Sequence, residues 1–271
     1  MSFKNKSVII TGASSGIGYA CALELASRGA NLVLGARNFA ALSEFCTALE
    51  KDYGIRALPV QTDVSREEDC EKLVARAVAA LGKVDVLINN AGLSMRALFN
   101  DLDLSVLKNL MDVNFWGTVY CTKYALPEIL KTGGSIVGVS SIAGYRGLPG
   151  RTGYSASKFA MNGFMESLRT ELLHSGVHVM VACPGFTASN IRSTALAADG
   201  SSHGETSMDE GKMMSAQEVA VRIIDGIGDR KRTLVMTAQG NLTVWLNKLL
   251  PGLADKLVFN HFTKEKKALI K

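Results

Sequence analysis

Short β-branched and aliphatic runs alternate with longer stretches in which apolar residues return at helical spacing, from the first residues to about 236. The runs predict strands at 7–11 (SVIIT), 31–36 (NLVLGA), 56–60 (RALPV), 84–88 (VDVLI), 135–139 (SIVGV), 177–182 (VHVMVA) and 232–236 (RTLVM). Helices are predicted at 17–28, 39–52, 66–81, 103–130, 153–174 and 216–228, with Ser65 and Ser215 as capping residues. The strand runs are continuously apolar, as strands covered on both faces are. Such alternation predicts a single doubly wound α/β domain on a seven-stranded parallel sheet.

Two segments break the pattern. Residues 189–212 are polar, Gly- and Ser-rich and long for a connection, which marks a substrate or binding loop. In 241–262, Leu242, Leu246, Leu249, Leu250, Leu253 and Leu257 fall at helical spacing, interrupted at Pro251-Gly252, and Lys264, Lys266 and Lys267 follow. The chain thus divides into a body, 1–238, and an amphipathic basic extension, 239–271. Three roles stay open for the extension: covering a cleft, packing on another subunit, or resting on an anionic membrane surface.

Composition narrows the class. A chain of 271 residues, 47% hydrophobic and 20% charged, folds as an ordinary globular protein and is not disordered. Six Lys against Asp255 and Glu265 put +4 of the net +5 into residues 240–271, so the body is nearly neutral and offers no nucleic-acid surface. Cys21, Cys46, Cys70, Cys121 and Cys183 lack any CxxC or metal spacing and read as small core residues in a reducing compartment. His174, His178, His203 and His261 show no ligand spacing, so they read as surface or packing residues and no metal is expected. MSFKNKSVII leads straight into a strand and no run of about 18 apolar residues occurs, from which a cytoplasmic protein is expected.

Candidate chemistry begins directly after the first strand, at Thr11-Gly12-Ala13-Ser14-Ser15-Gly16-Ile17-Gly18. Glycines at this spacing allow a tight turn, close approach to a pyrophosphate and close packing of helix on strand, and the helix N-terminus favours the negative charge. A dinucleotide fold that prefers NAD places an acidic residue near the end of the second strand. Here Ala36 holds that place and Arg37 follows, whose guanidinium suits a 2′-phosphate, so NADP(H) is the expected cofactor. Asp63-Val64, past the third strand, is a candidate to receive the adenine amino group, although Asp at a strand end is also a common capping choice.

These motifs, with Asn89-Asn90-Ala91-Gly92, Asn114, Ser141, Tyr154-Ser-Ala-Ser-Lys158 and Pro184-Gly185, resemble the short-chain dehydrogenase/reductase family over nearly the whole chain to about 238. Tyr-x3-Lys alone is unspecific, and the order and context of the set carry the resemblance. It implies a Rossmann-like fold and a catalytic tetrad of Asn114, Ser141, Tyr154 and Lys158. Ser141 is preferred over its neighbour Ser140 because it lies 13 residues before Tyr154, the family's usual separation. Implied cofactor contacts are Gly12, Ser14, Ser15, Gly16, Ile17, Gly18, Arg37, Asp63, Val64, Asn90, Ala91, Gly92, Tyr154, Lys158, Pro184, Gly185, Thr187 and Ser189. Ser189 stands where relatives often carry Thr, and Thr187 competes for the same carboxamide contact.

Ketone reduction leaves an alkoxide that must gain a proton, and an unperturbed phenol with a pKa near 10 is a poor donor and acceptor at neutrality. One helical turn separates Tyr154 from Lys158, so a cation stands on the same face. At about 4 Å and an effective dielectric of about 20 it contributes roughly 4 kcal/mol, or at most about 3 pKa units. Ser141 would bind the substrate oxygen where charge develops. In the family, Asn114 helps hold a water that links Lys158 to solvent; by itself it reads as a satisfied polar residue that bends or breaks a long helix. Met213, Met214, Phe186 and Tyr145 are candidates to line a substrate pocket.

The expected activity is NADP(H)-dependent hydride transfer to an apolar, lipid- or steroid-like ketone or from the corresponding secondary alcohol. A 3-oxoacyl thioester is the alternative substrate class, and an inert NADP-binding regulator or scaffold is the alternative of another kind. A homodimer or homotetramer through the helices at 103–130 and 153–174 is expected by resemblance, with peripheral membrane contact through the tail left open.

Overall fold

The computed structural model describes the chain apart from residues 1, 186, 189, 190, 192, 193, 203, 205–212, 264–268, 270 and 271, and the side chain of Ala188. The elements run β1 (Ser7–Thr11), α1 (Gly16–Ser27), β2 (Asn31–Ala36), α2 (Phe39–Tyr53), β3 (Ala57–Gln61), α3 (Glu67–Leu81), β4 (Val86–Asn89), α4 (Leu104–Met111), α5 (Gly117–Thr132), β5 (Ser135–Val139), α6 (Thr152–Glu171) and β6 (His178–Cys183). There follow β7 (Thr187–Ala188), β8 (Met214–Ser215), α7 (Ala216–Gly228), β9 (Thr233–Val235), α8 (Ala238–Leu249) and α9 (Pro251–Phe262).

Seven strands form one parallel sheet in the order β3-β2-β1-β4-β5-β6-β9, and β7 pairs with β8 beside it. Every residue of β1, β5 and β6 is buried, because helices cover both faces. Alternate residues point to opposite sides of the pleat. Val8, Ile10, Leu32 and Leu34 pack with α1, α2 and α7, whereas Ile9, Val33, Leu87 and Ile136 pack with α3, α5 and α6. The cysteines are buried thiols within these layers. Strand order reverses between β1 and β4, which opens a crevice at their carboxyl ends.

The expected architecture is present, with two local differences among the helices. The helix expected at 103–130 is two helices joined by a wide π turn at Asp112–Trp116, centred on Asn114. Ser65 does not cap α3: the Asp63 carboxylate accepts from Ser65 N (3.0 Å) and Oγ (2.7 Å), so the hydroxyl is committed to a local turn and Arg66 takes the cap position. Ser215 does cap α7, in a reciprocal box with Glu218. In the tail, Pro251 begins α9, where its missing N–H costs nothing, so the two amphipathic pieces are α8 and α9.

Candidate active site

The glycine loop connects β1 to α1 at the crevice. Gly12 (φ +64°) and Gly16 (φ +56°) adopt left-handed conformations that only glycine takes without strain. A Cβ on Gly12 would lie 2.8 Å from Ala91 Cα, and one on Gly18 would run into Gly12 O and Asn90 Nδ2. The third glycine thus lets α1 press against the loop. Thr11 Oγ1 accepts from Asn90 N and Ala91 N (3.0 Å each), and Asn90 Nδ2 donates to Thr11 O (3.0 Å) and Gly12 O (3.1 Å), which fastens the loop to the end of β4. Asn90 and Ala91 therefore brace the cradle from behind. Ser15, at the N-cap of α1, makes no capping bond, and the first turn holds no acidic residue. With Ser14 and Gly16 beside it, that helix end offers unspent donors to a pyrophosphate.

Arg37 is exposed immediately beyond buried Ala36 at the end of β2. Asp63 has one carboxylate oxygen engaged by Ser65 in a local turn that caps no helix, and its N–H donates to Asp69 Oδ2 (2.9 Å). Val64 is buried against Gly117, where a Cβ would approach within 2.8 Å, so this pair of helices closes on it.

The carboxyl end of β5 and the helix α6 bring the expected reactive groups together. Ser141 follows β5 and caps a short 3-10 turn, its Oγ accepting from Ala143 N (3.1 Å), which leaves the hydroxyl proton to donate elsewhere. Both serines border the cavity, but Ser140 is buried with its Oγ against Gly144, whereas Ser141 is half-buried. Tyr154 and Lys158 both face the cavity from α6. Lys158 Nζ donates to Val139 O (2.9 Å) and stands 5.9 Å from the Tyr154 ring centroid, so an ammonium lies beside the phenol ring. Burial pushes the Lys158 ammonium down to about 8.

Asn114 is a satisfied polar residue at a helix break, one of its two sequence readings. Its side chain is fully buried and satisfied, with Oδ1 accepting from Leu93 N (2.7 Å) and Nδ2 donating to Leu93 O (3.0 Å) and Ser157 Oγ (2.8 Å). It also lies near Lys158: a Cβ on Gly92 would lie 3.2 Å from Asn114 Oδ1 and 3.5 Å from Lys158 Nζ.

A cavity of about 410 Å³ joins these parts. Ile17, Asn90, Gly92, Pro184, Gly185 and Thr187 line one end, with Ser141, Tyr154 and Lys158 on the wall. Thr187 is buried and donates to Gly185 O (3.2 Å), and a Cβ on Gly185 would meet Thr237 Cγ2 at 2.6 Å. Ser189 and Phe186 lie outside the described residues.

The far end corrects the expected pocket. Tyr145, Met213 and Met214 do not line it; Leu242, Leu246, Ala254, Leu257, Val258 and Phe262 of α8 and α9 do, together with His261. The tail folds back over the cleft, which brings His261 to a wall where surface or packing was expected. Ser94, Leu148 and Arg151 also line the space and carry no motif by which sequence alone would find them. His178 is an ordinary packing residue, held by Ser135 Oγ (3.2 Å) and Lys231 O (2.8 Å).

Known proteins share this arrangement. A family model described as short chain dehydrogenase matches residues 6–199. The chain is 35% identical over 270 residues to "Dehydrogenase/reductase SDR family member 7B" of Mus musculus, covering 98% of this chain and 84% of that protein. It is 36% identical over 249 residues to "11-beta-hydroxysteroid dehydrogenase-like 4A" of Arabidopsis thaliana, covering 92% and 82%. A short chain dehydrogenase/reductase from Burkholderia phymatum, solved in complex with NAD, superposes with a TM-score of 0.83 at 26% identity, over 93% of this chain and 96% of that one. An alcohol dehydrogenase from Thermococcus sibiricus, complexed with 5-hydroxy-NADP, gives 0.74 at 28% identity, over 84% and 94%. The doubly wound sheet and these matches show that the chain belongs to the short-chain dehydrogenase/reductase family of oxidoreductases.

Proposed function

We propose that this chain is an NADP(H)-dependent oxidoreductase that interconverts an apolar, lipid- or steroid-like ketone and its secondary alcohol. The observation that carries the reading is a single cavity in which Ser141, Tyr154 and Lys158 face the same space as Gly92, Pro184 and Gly185. When bound, the nicotinamide supplies the hydride. Gly12, Ser14, Ser15, Gly16, Ile17 and Gly18 hold the pyrophosphate at the end of α1, and Arg37 pairs with a 2′-phosphate. Ser141 donates to the carbonyl oxygen. Tyr154 transfers its proton to the forming alkoxide, and the Lys158 ammonium favours the tyrosinate left behind. Asn114 helps position the water through which Lys158 regains contact with solvent.

The apolar substrate class is supported by the leucines of α8 and α9 at the far end and by similarity to a protein named as a hydroxysteroid dehydrogenase-like enzyme. For the cofactor, one superposed structure carries NAD and another an NADP derivative, so the choice of NADP(H) rests on Ala36 and Arg37. The test is NADPH and NADH oxidation against a panel of ketones, steroids, sugars and acyl thioesters. A lower Michaelis constant for NADPH and turnover of apolar ketones support the reading, whereas equal constants or a preference for NADH overturn the cofactor assignment. Turnover confined to 3-oxoacyl thioesters would move the substrate class, and silence with NADPH bound would favour a regulator.

We further propose a body at 1–238 and a functional extension at 239–271, a cytoplasmic enzyme, and a homo-oligomer that covers exposed Trp116 and Phe159 on the α5 and α6 side. Among the described residues no helix is long and apolar enough to cross a membrane. The extension covers the cleft with one face, while Trp245, Leu249, Leu250, Leu253 and Phe259 are exposed beside Lys248 and Lys256. That outer face favours a second role at an anionic membrane surface. Liposome flotation with and without residues 240–271 tests it: equal flotation removes the membrane role.

A further inference from the structure

The roof formed by α8 and α9 is thinly attached. Gly240 is the buried residue of α8 and Ala254 that of α9. Both helices are nevertheless reached by one side chain of the segment that carries Ser141. Arg146 Nη1 donates to Asn247 Oδ1 on α8 (2.8 Å), and Nη2 pairs with Asp255 Oδ1 on α9 (2.5 Å). Asn247 Nδ2 returns a bond to Tyr145 O (2.9 Å), so α8 is tied to this segment in both directions. Farther along the same loop, Leu269 lies against Gly150, where a Cβ would stand 2.6 Å from Leu269 Cδ1.

We propose that Arg146 is a specificity-determining positioning residue, which latches α8 and α9 over the cavity so that their leucines form the site for the substrate's apolar portion. The proposal rests on the oxidoreductase reading above and adds to it the residue that selects bulky over small carbonyl compounds. The Arg146 side chain is only 15% exposed. A guanidinium so far withdrawn from water is costly to leave without its partners, which makes the geometry of Asn247 and Asp255 around it decisive. Arg146 does not line the cavity, and Leu242, Leu246, Leu257 and Val258, which do, sit on the two helices it joins. A small ketone needs only Ser141 and Tyr154. A long one also needs the roof.

The test uses the full chain and Arg146→Ala, Arg146→Lys and the exchanged pair Arg146→Glu/Asp255→Arg, with amide hydrogen exchange in α8 and α9, NADPH binding, and kinetics on acetone and 2-decanone as probes. Arg146→Ala should speed exchange in both helices at least tenfold and leave NADPH affinity within twofold. It should lower kcat/KM for 2-decanone at least fivefold, chiefly through KM, and that for acetone less than twofold. Arg146→Lys and the exchanged pair should each recover part of the exchange protection and of the 2-decanone KM. Unchanged exchange in Arg146→Ala overturns the latch. Faster exchange with equal losses on both ketones overturns the specificity role. If the unaltered chain reduces neither ketone nor any other panel member, the oxidoreductase reading falls, and exchange alone then decides the latch.

Discussion

The wall of the cavity that bears Ser141, Tyr154 and Lys158 and the roof made by α8 and α9 are held by unlike forces. Ser141 extends from a strand buried along its whole length, Lys158 is 2% exposed with its ammonium on Val139 O, and Asn114 beside it has its amide fully engaged. The roof instead shows Trp245, Leu249, Leu253 and Leu257 to solvent, at 57%, 55%, 46% and 51% exposure, and its hydrogen bonds to the Ser141 segment run through Arg146 and Tyr145 O. Proton transfer needs donors within a few tenths of an ångström of their places, which rigid strand ends and buried bonds supply. Binding an apolar group needs area rather than angle, and helices resting on few contacts can adjust to it. On the proposed function, the difference separates the residues that set the reaction from those that set what is admitted to it.

Breaking the wall should therefore cost far more than disturbing the roof. Tyr154→Phe is expected to lower kcat on a ketone by roughly 10²–10⁴-fold, the usual contribution of a positioned proton donor, with NADPH affinity retained by fluorescence titration. Ser141→Ala removes the donor to the developing oxyanion and should cost about 10²–10³-fold in kcat, whereas Ser140→Ala, whose hydroxyl lies against Gly144, should cost much less. If the two serines proved equal, the choice between them would be wrong. The smallest effect is on the pH profile. Burial lowers Lys158 from 10.5 to about 8, so its cation is present below that pH and is lost above it. The kcat/KM for reduction should fall as pH rises through about 8, by less than tenfold to pH 9, while a profile flat across that range would detach Lys158 from the proton transfer.

The wall was largely legible in the sequence and the roof was not. Continuous apolar runs locate strands buried on both faces, and the glycine spacing locates the turn and close approach seen at Gly12, Gly16 and Gly18. The 13-residue interval favours Ser141, whose half-buried place on the cavity wall agrees with it. Asn114 could be read both as a chemical group and as a helix breaker because it lies in a π turn and borders Lys158. Ser65 was misread because a capping hydroxyl and one captured by a neighbouring carboxylate have the same local sequence. Leucine spacing in 241–262 predicts amphipathic helices but holds no information on what covers them. Arg146 carries no motif; its partners lie 101 and 109 residues away, and only the fold brings them together.

The central claim is that this cavity is where a hydride passes to a carbonyl carbon while Tyr154 supplies the proton. Its most direct test is turnover of the ketone panel with NADPH deuterated at the nicotinamide C4, followed by mass analysis of the alcohol. The account predicts one deuterium on the carbinol carbon, formed by the unaltered chain and nearly absent with Tyr154→Phe. Saturable NADPH binding with no deuterated product from any member of the panel would contradict it.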